Sequence, residues 1–248
     1  MERAVWSGAV DAPAAPAAPA APAIRDGVVS RPGLSGRLTR ALRVAQLSAP
    51  AGSGKTVLLR SWIAESGLAE RAAWVTVAGG CDAQQFWISA VSALRDTAVG
   101  STLVRALTAA PDLDGWTVVE RLLEDLASLQ DQIWLLVDDL HELRSAEALR
   151  QLELLIMRAP PALRFVLVTR HDLRLGLHRL RLAGELTEIR AADLRFSRAE
   201  SRALLSGAGV PLSPGGLGEH REVAGVPGKR TWLRVRVPRW ASRARKLW

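Results

Sequence analysis

The sequence is poor in the residues that crosslink proteins or bind zinc. Cys81 is the single cysteine, which excludes an internal disulfide, and no group of Cys and His residues has the spacing of a zinc site. No apolar run approaches the roughly 18 residues that span a bilayer, and the N-terminus lacks a basic start followed by a strongly apolar stretch. These absences predict a soluble, cytoplasmic protein with no membrane partner.

Lysine is also scarce, whereas the chain as a whole is basic. The formal net charge is +8, and nine basic residues against Glu222 alone lie between Arg221 and the C-terminus. That segment therefore carries +8, which leaves residues 1–220 at 8 − 8 = 0. Because the surplus is confined to the last part of the chain, the net charge alone does not indicate a nucleic-acid-binding fold.

Composition divides the chain into three parts. Residues 1–27 are predicted to be a disordered Ala/Pro-rich leader, because residues 11–23 place proline at every third position beside small residues. Residues 28–207 are predicted to be one folded domain, and residues 208–248 an irregular, basic tail rich in Arg and Trp. A helical apolar pattern through Leu34, Leu38 and Leu42 predicts the first helix.

The apolar pattern then alternates between short runs and longer periodic stretches, which is typical of βαβ units on a parallel sheet. Strands are predicted at about 43–48, 72–77, 133–137, 164–169 and 186–190. Capping-box spacing predicts three helix starts, at Thr117 with Glu120, Ser197 with Glu200, and Asp82 with Gln85. A further helix is predicted from Ser145 to Arg158, ended by Pro160 and Pro161.

One segment between the first strand and the next helix has the pattern of a phosphate-binding loop. It consists of Ala49, Pro50, Ala51, Gly52, Ser53, Gly54, Lys55 and Thr56. The glycines permit the sharp turn that points backbone N–H groups at an anion, Lys55 supplies a charge for the β- and γ-phosphates, and Thr56 a hydroxyl for Mg²⁺. Ala49 replaces the usual first glycine, so an ordinary Gly-rich loop before a helix is the alternative.

Two carboxylates, Asp138 and Asp139, follow the apolar run that begins at Ile133. Carboxylates at a buried strand end are costly without a cation or donors nearby, and Mg²⁺ would offset that cost. Asp138 is the candidate metal ligand together with Thr56, and Asp139 would orient or deprotonate an attacking water. The alternative is that both carboxylates cap the following turn.

Arg170 directly follows the fourth predicted strand, and ligands of open α/β sheets bind beyond the carboxyl ends of the strands. Arg170 is therefore a candidate catalytic residue that contacts the γ-phosphate; the alternative is a salt bridge with Asp138, Asp139 or Asp172. For His141, a structural hydrogen bond and a contact with phosphate or water both stay open.

Residues from Val28 to about Leu205 resemble the N-terminal ATPase module of the large ATP-binding LuxR-type transcriptional regulators, the maltose-activator-like branch of the STAND NTPases. The matching motifs are Arg31-Pro32, Ser48 to Gly52 with Gly54-Lys55-Thr56, Phe86-Trp87, Val137-Asp138-Asp139 with His141, Pro160 to Arg164, and Arg179 to Phe196. Alanine at the first P-loop position is usual in that family.

The resemblance implies a fold, ligands and a role. The fold would be an α/β P-loop NTPase, a three-layer αβα sandwich with a five-stranded parallel sheet of order 5-1-4-3-2, and Arg170 would lie between the strands that carry the P-loop and Asp138. Arg31 would lie by the adenine. The cofactors would be ATP and Mg²⁺, the partners ATP and ADP, with self-association through the nucleotide domain open. The implied function is an ATP-binding switch domain with at most slow, Mg-dependent ATPase activity.

The chain departs from that family after Leu212. Neither a helical-repeat sensor nor a helix-turn-helix follows, so DNA binding is not expected of this chain alone, and the change of composition near residue 219 suggests a truncated or out-of-frame end. Two other functions stay open. Arg beside Trp in the tail could bind nucleic acid through phosphate contacts and base stacking, or the chain could be an inactive gene fragment.

Overall fold

The structure is a computed structural model that describes residues 28–107, 114–172, 175–197 and 199–201. The chain divides into two units, Met1–Leu204 and Leu205–Trp248, and all described residues belong to the first. The expected leader at 1–27, the end of the expected domain from 202, and the expected basic tail at 208–248 lie outside the described residues.

A five-stranded parallel sheet forms the centre of the domain, in the order β2-β3-β4-β1-β5. The strands are β1 Val44–Ser48, β2 Ala72–Thr76, β3 Ile133–Asp138, β4 Leu163–Thr169 and β5 Leu186–Arg190. Read from the other edge this is the order 5-1-4-3-2, so the predicted α/β P-loop NTPase fold is confirmed. Strands β1 to β4 are nearly continuous apolar runs because both faces of the sheet are covered.

Helices cover the sheet on both sides and make three layers. They are α1 Pro32–Thr39, α2 Lys55–Glu65, α3 Ala83–Arg95, α4 Gly100–Leu103, α5 Gly115–Asp125, α6 Ala146–Arg158 and α7 His178–Leu182. Side chains of α1 and α2 form one apolar cluster with the sheet, where Trp62 meets Trp134 edge-on at 4.9 Å. Side chains of α3, α5 and α6 form the cluster on the opposite face.

Two of the three helix starts predicted from capping-box spacing are confirmed. The Asp82 carboxylate accepts from the Gln85 N–H at 2.8 Å and caps α3. Ser197 and Glu200 bond reciprocally, with the Ser197 N–H donating to Glu200 Oε2 at 2.6 Å and the Glu200 N–H donating to Ser197 Oγ at 3.2 Å. Helix α6 begins after Ser145, as predicted.

The helix start predicted at Thr117 is wrong. Helix α5 begins at Gly115, and its cap is Asp114, whose carboxylate accepts from the N–H groups of Trp116 and Thr117 at 3.2 Å each. The Thr117 hydroxyl also donates to Asp114 Oδ2 at 3.0 Å. Aspartate is a stronger cap than threonine and lies three residues earlier, so it sets the start of the helix.

The first helix is shorter than its apolar pattern predicts. Leu34 and Leu38 are buried, but α1 ends at Thr39 and Leu42 is 59% exposed. The chain has to turn before β1 begins at Val44, and Ala41 occupies the buried position in that turn. The extension of the helix to Leu42 is therefore wrong.

The strand register brings three chain segments together where the strands reach their carboxyl ends, which is called the edge of the sheet below. Ser48 of β1 lies opposite Thr169 of β4, and Thr76 of β2 lies opposite Asp138 of β3. Strand β4 lies between β1 and β3. The loop after β1, the carboxylates at the end of β3 and the residues after β4 therefore meet at this edge.

Candidate functional site

The loop between β1 and α2 makes a tight turn that two glycines allow. Gly52 has φ +76° and Gly54 has φ +85°, the left-handed region that favours glycine. A Cβ built on either glycine meets no atom within 4 Å, so the space beside the loop is open. Helix α2 begins directly after Gly54, so its first free N–H groups face this space.

Lys55 opens α2 and turns its side chain back along the loop. Its ammonium group donates to the carbonyl oxygens of Ala49 at 2.6 Å and Pro50 at 2.9 Å, and the residue is 7% exposed. Burial lowers the pKa of Lys55, against the opposing effect of the Asp138 and Asp139 carboxylates. The ammonium group is thus held at the loop with much of its hydration lost.

Thr56 and Asp138 meet across the edge of the sheet. The Thr56 hydroxyl donates to Asp138 Oδ2 at 3.1 Å, and the Asp139 N–H donates to Asp138 Oδ1 at 2.9 Å. Burial raises the pKa of Asp138, and the neighbouring Asp139 charge raises it further, while these hydrogen bonds and Lys55 oppose the rise. The structure therefore brings the two candidate magnesium ligands within hydrogen-bond distance of each other.

Asp139 and Arg170 lie beside this pair. Arg170 Nη2 is 3.7 Å from Asp139 Oδ1, and the Arg170 side chain is 41% exposed. Asp139 has φ +52° and precedes a short 3₁₀ helix, Leu140–Glu142, but its side chain makes no capping hydrogen bond. The contact with Arg170 is one of the salt bridges considered as the alternative role of that residue, and at this distance it is loose.

His141 lies just beyond Asp139, and its side chain is more buried than those of Asp139 and Arg170. Its side chain is 7% exposed, and neither ring nitrogen has a hydrogen-bond partner in the described part of the chain. Its ring meets that of His171 edge-on at 5.5 Å. Burial lowers the pKa of His141, with Asp139 opposing and Arg170 adding to the effect. The structural hydrogen bond considered for this residue is not formed.

Arg31 anchors the start of the domain to the segment that follows β5. Its guanidinium group donates to the carbonyl oxygens of Asp193, Leu194 and Arg195 and to the Glu200 carboxylate, and it lies 5.0 Å from the centre of the Phe196 ring. Most of its donors are thus engaged within the protein. A contact of Arg31 with adenine stays a prediction.

Arg60 is a charged residue near the site that the sequence analysis did not single out. It lies four residues after Thr56 on α2, and therefore on the same face of the helix. Burial lowers the pKa of Arg60, with the Asp138 carboxylate opposing, and the Arg60 Nε atom is buried without a hydrogen-bond partner among the described residues. The spacing of four residues from Thr56 on the predicted helix is the sequence feature from which the position of Arg60 could have been predicted.

The residues at this edge fit a triphosphate and Mg²⁺. Ser53 Oγ in the loop is buried and has no hydrogen-bond partner among the described residues, and the space beside Gly52 and Gly54 is open. Within the described ranges no group of three or more His, Cys, Asp or Glu residues could hold a metal ion. No helix in the same ranges is long and apolar enough to cross a membrane.

A strand, a glycine turn, a helix that opens with Lys-Thr and an aspartate on a nearby strand define the class of P-loop NTPases. The family model described as AAA domain matches residues 41–177, which is more than half of the chain. The protein therefore belongs to the AAA domain family.

Comparison with known proteins gives two further similarities. Serine/threonine-protein kinase PknK of Mycobacterium tuberculosis is 28% identical over 175 residues, which cover 67% of this chain and 15% of the kinase, and the Mycobacterium bovis protein gives the same values. The chain thus spans only a small part of these relatives. A signal transduction ATPase with numerous domains (STAND) and a tetratricopeptide repeat sensor, from Pyrococcus horikoshii, has the same fold, with TM-score 0.51, 18% identity, and coverage of 75% of this chain and 26% of that one.

Proposed function

We propose that this chain binds ATP with Mg²⁺ and is the nucleotide-dependent switch domain of a LuxR-type, maltose-activator-like transcriptional regulator. The observation that carries the nucleotide part is the hydrogen bond of 3.1 Å between Thr56 Oγ1 and Asp138 Oδ2 beside Lys55. These are the hydroxyl, carboxylate and ammonium groups that a Mg²⁺–triphosphate complex needs. The regulatory part rests on the sequence motifs shared with those regulators.

In the proposed complex, the loop after β1, Lys55, Thr56 and Asp138 each contact a different part of the nucleotide or the metal ion. The N–H groups from Ala51 to Thr56 bind the phosphate oxygens, and Lys55 leaves the loop carbonyls for the β- and γ-phosphates. Thr56 and Asp138 would hold Mg²⁺, which would neutralise phosphate charge. Because Lys55 and Asp138 are both desolvated before the ligand binds, each gains an opposite charge on binding.

Arg170 and Asp139 are the proposed catalytic residues. Arg170 is half-exposed and held only at 3.7 Å by Asp139, so it can turn to the γ-phosphate at little cost. Asp139 then orients an attacking water. We expect slow hydrolysis of ATP, which leaves the ATP-bound state long-lived before hydrolysis resets the switch.

The switch role is supported by where the module occurs. The matched region is 15% of PknK and 26% of the STAND protein, so in both it is a minor part of a longer chain. A module of this kind can report its nucleotide state to whatever it is joined to. Self-association through the nucleotide domain is the corresponding proposal for this chain.

Lys55→Ala tests the proposal. Loss of a charge-assisted contact of about 1.5–3 kcal/mol should weaken ATP binding at least tenfold or so, measured by titration calorimetry with and without Mg²⁺. Arg158→Ala is the control, because it also removes one positive charge. Arg158 is exposed at the end of α6, just before the start of β4, whereas the site lies at the other end of that strand. Equal ATP affinity of Lys55→Ala and the parent protein would refute the assignment.

A further inference from the structure

The buried His141 ring lies between two carboxylates and bonds to neither. Its Nδ1 atom is 3.8 Å from Asp139 Oδ1, and its Nε2 atom is 3.4 Å from Glu142 Oε1 without hydrogen-bond geometry. A buried polar group without a partner is costly, and such groups in folded proteins usually have a functional reason. His141 therefore calls for an explanation that the P-loop does not provide.

One proton has to serve two acceptors. A neutral imidazole has a single N–H, on Nδ1 or on Nε2, whereas the carboxylates of Asp139 and Glu142 can only accept. Burial lowers the pKa of His141, which favours the neutral ring. The ring can then donate to Asp139 or to Glu142, but not to both.

Asp139 Oδ1 is also the atom that Arg170 approaches. Arg170 Nη2 lies 3.7 Å from it and His141 Nδ1 lies 3.8 Å from it, so both side chains lie just beyond hydrogen-bond distance of the same carboxylate oxygen. A normal hydrogen bond from Nδ1 needs an approach of only about 1 Å. Asp139 has φ +52°, and the loop around it has no capping hydrogen bond to fix the carboxylate when Arg170 leaves.

We propose that His141 is the positioning residue for Asp139, and that it replaces Arg170 as the partner of Asp139 Oδ1 when nucleoside triphosphate binds. Before binding, the His141 N–H is on Nε2 and faces Glu142. Once Arg170 turns to the γ-phosphate, the ring carries its proton on Nδ1, exchanged through water with no change of charge, and donates it to Asp139. The other carboxylate oxygen is then held towards the attacking water. This inference rests on the proposed function.

The tautomer of His141 is the direct test. The chain has four histidines, and a long-range ¹H–¹⁵N spectrum of their side chains distinguishes the Nδ1–H from the Nε2–H ring. His141→Gln identifies the His141 signals by their loss. We expect Nε2–H without nucleotide and with ADP, and Nδ1–H with Mg²⁺ and ATPγS.

Calorimetry on the same samples separates the two proposals. If ATPγS does not bind, the proposed function fails and the inference fails with it. If ATPγS binds and the His141 tautomer does not change, the inference alone is overturned.

Two substitutions test the position of the N–H donor. His141→Asn keeps an amide nitrogen near the place of Nδ1, facing Asp139, whereas His141→Gln keeps one near Nε2, facing Glu142. We expect kcat to fall about tenfold in His141→Gln and to stay within about threefold in His141→Asn, with ATP affinity within about twofold in both. Equal kcat losses in the two variants, or no loss in His141→Gln, would contradict the inference; their melting temperatures check that both fold.

Discussion

At the scale of single residues, the charged groups of Lys55 and Asp138 are both buried, which disfavours their charged forms. Lys55 is 7% exposed and Asp138 is 6% exposed, and burial shifts the pKa of each towards its neutral form. The mutual attraction of the two groups opposes these shifts but does not reverse them. Desolvated charges of this kind reduce the stability of the ligand-free protein and increase the gain when a ligand of opposite charge arrives.

Asp138→Asn should therefore separate stability from ligand binding. The native pKa of Asp138 is above its unfolded value of about 3.9, so the native state keeps the proton longer and stability falls as pH rises from about 4 through the native pKa. The variant should melt higher than the parent protein at neutral pH and lose part of this pH dependence, measured by thermal unfolding between about pH 4 and 7. It should also lose the Mg²⁺-dependent part of ATP affinity.

Asp172→Asn is the matched control for that variant. Asp172 lies three residues after β4 and its side chain is 66% exposed, so the same change of charge removes no desolvation cost and only weakens an exposed ion pair with Arg190 at 3.5 Å. A melting temperature of Asp138→Asn at or below that of the parent protein at neutral pH would contradict the account of buried charge.

At the scale of secondary-structure elements, the turn between β1 and α2 combines a backbone requirement with open space. Gly54→Ala puts a Cβ at φ +85°, which costs about 1–2 kcal/mol, although that Cβ meets no atom within 4 Å. We expect a loss of that size in urea unfolding, together with a loss of ATP affinity in calorimetry, because the added methyl group occupies the space for the phosphates.

Gly67→Ala shows whether the two losses are separate. Gly67 follows the other end of α2, has φ +63° and likewise has open space around its Cβ position. Its substitution should cost similar stability and leave ATP affinity unchanged. If both variants lose affinity alike, backbone strain rather than phosphate space explains the effect.

The cap of α5 can be tested in the same way. Asp114→Ala should reduce stability by about 1 kcal/mol in urea unfolding, whereas Thr117→Ala should cost less, since Thr117 only donates to the cap. Hydrogen bonds from the Trp116 N–H and from Thr117 lower the pKa of Asp114. The difference should therefore vanish as pH falls below about 4, where the carboxylate becomes protonated. Asp131→Ala, an exposed loop aspartate, is the control.

At the scale of the whole molecule, the elements were easier to predict than their contacts. The strands were predictable because a sheet covered on both faces needs short continuous apolar runs, and the order followed from the family resemblance. The Thr117 cap failed because Asp114, three residues earlier, offers the stronger acceptor. The helical apolar pattern that included Leu42 extends beyond the end of α1, because periodicity alone does not show where the chain turns towards β1.

The side-chain partners at the site depend on segments far apart in the chain. Thr56 and Asp138 are 82 residues apart, and Arg31 contacts Glu200 across 169 residues. A sequence motif predicts that such residues meet at one edge, but not which atoms pair. The loose contact of Asp139 with Arg170 and the unpartnered ring of His141 are for this reason findings of the structure.

The position of β1 in the sheet affects the order in which the protein can form on the ribosome. Strand β1 is made first, yet its two neighbours are β4 and β5, which are translated more than a hundred residues later. The strand that carries the P-loop therefore lacks its native partners until β4 is synthesised, and long-range pairing of this kind is slow and exposed to aggregation. Stalled nascent chains that end at Ala162 should gain no protease protection from Mg²⁺–ATP. Chains extended beyond Ser201 should gain this protection. Equal protection of both would show that the loop can bind before β1 is paired.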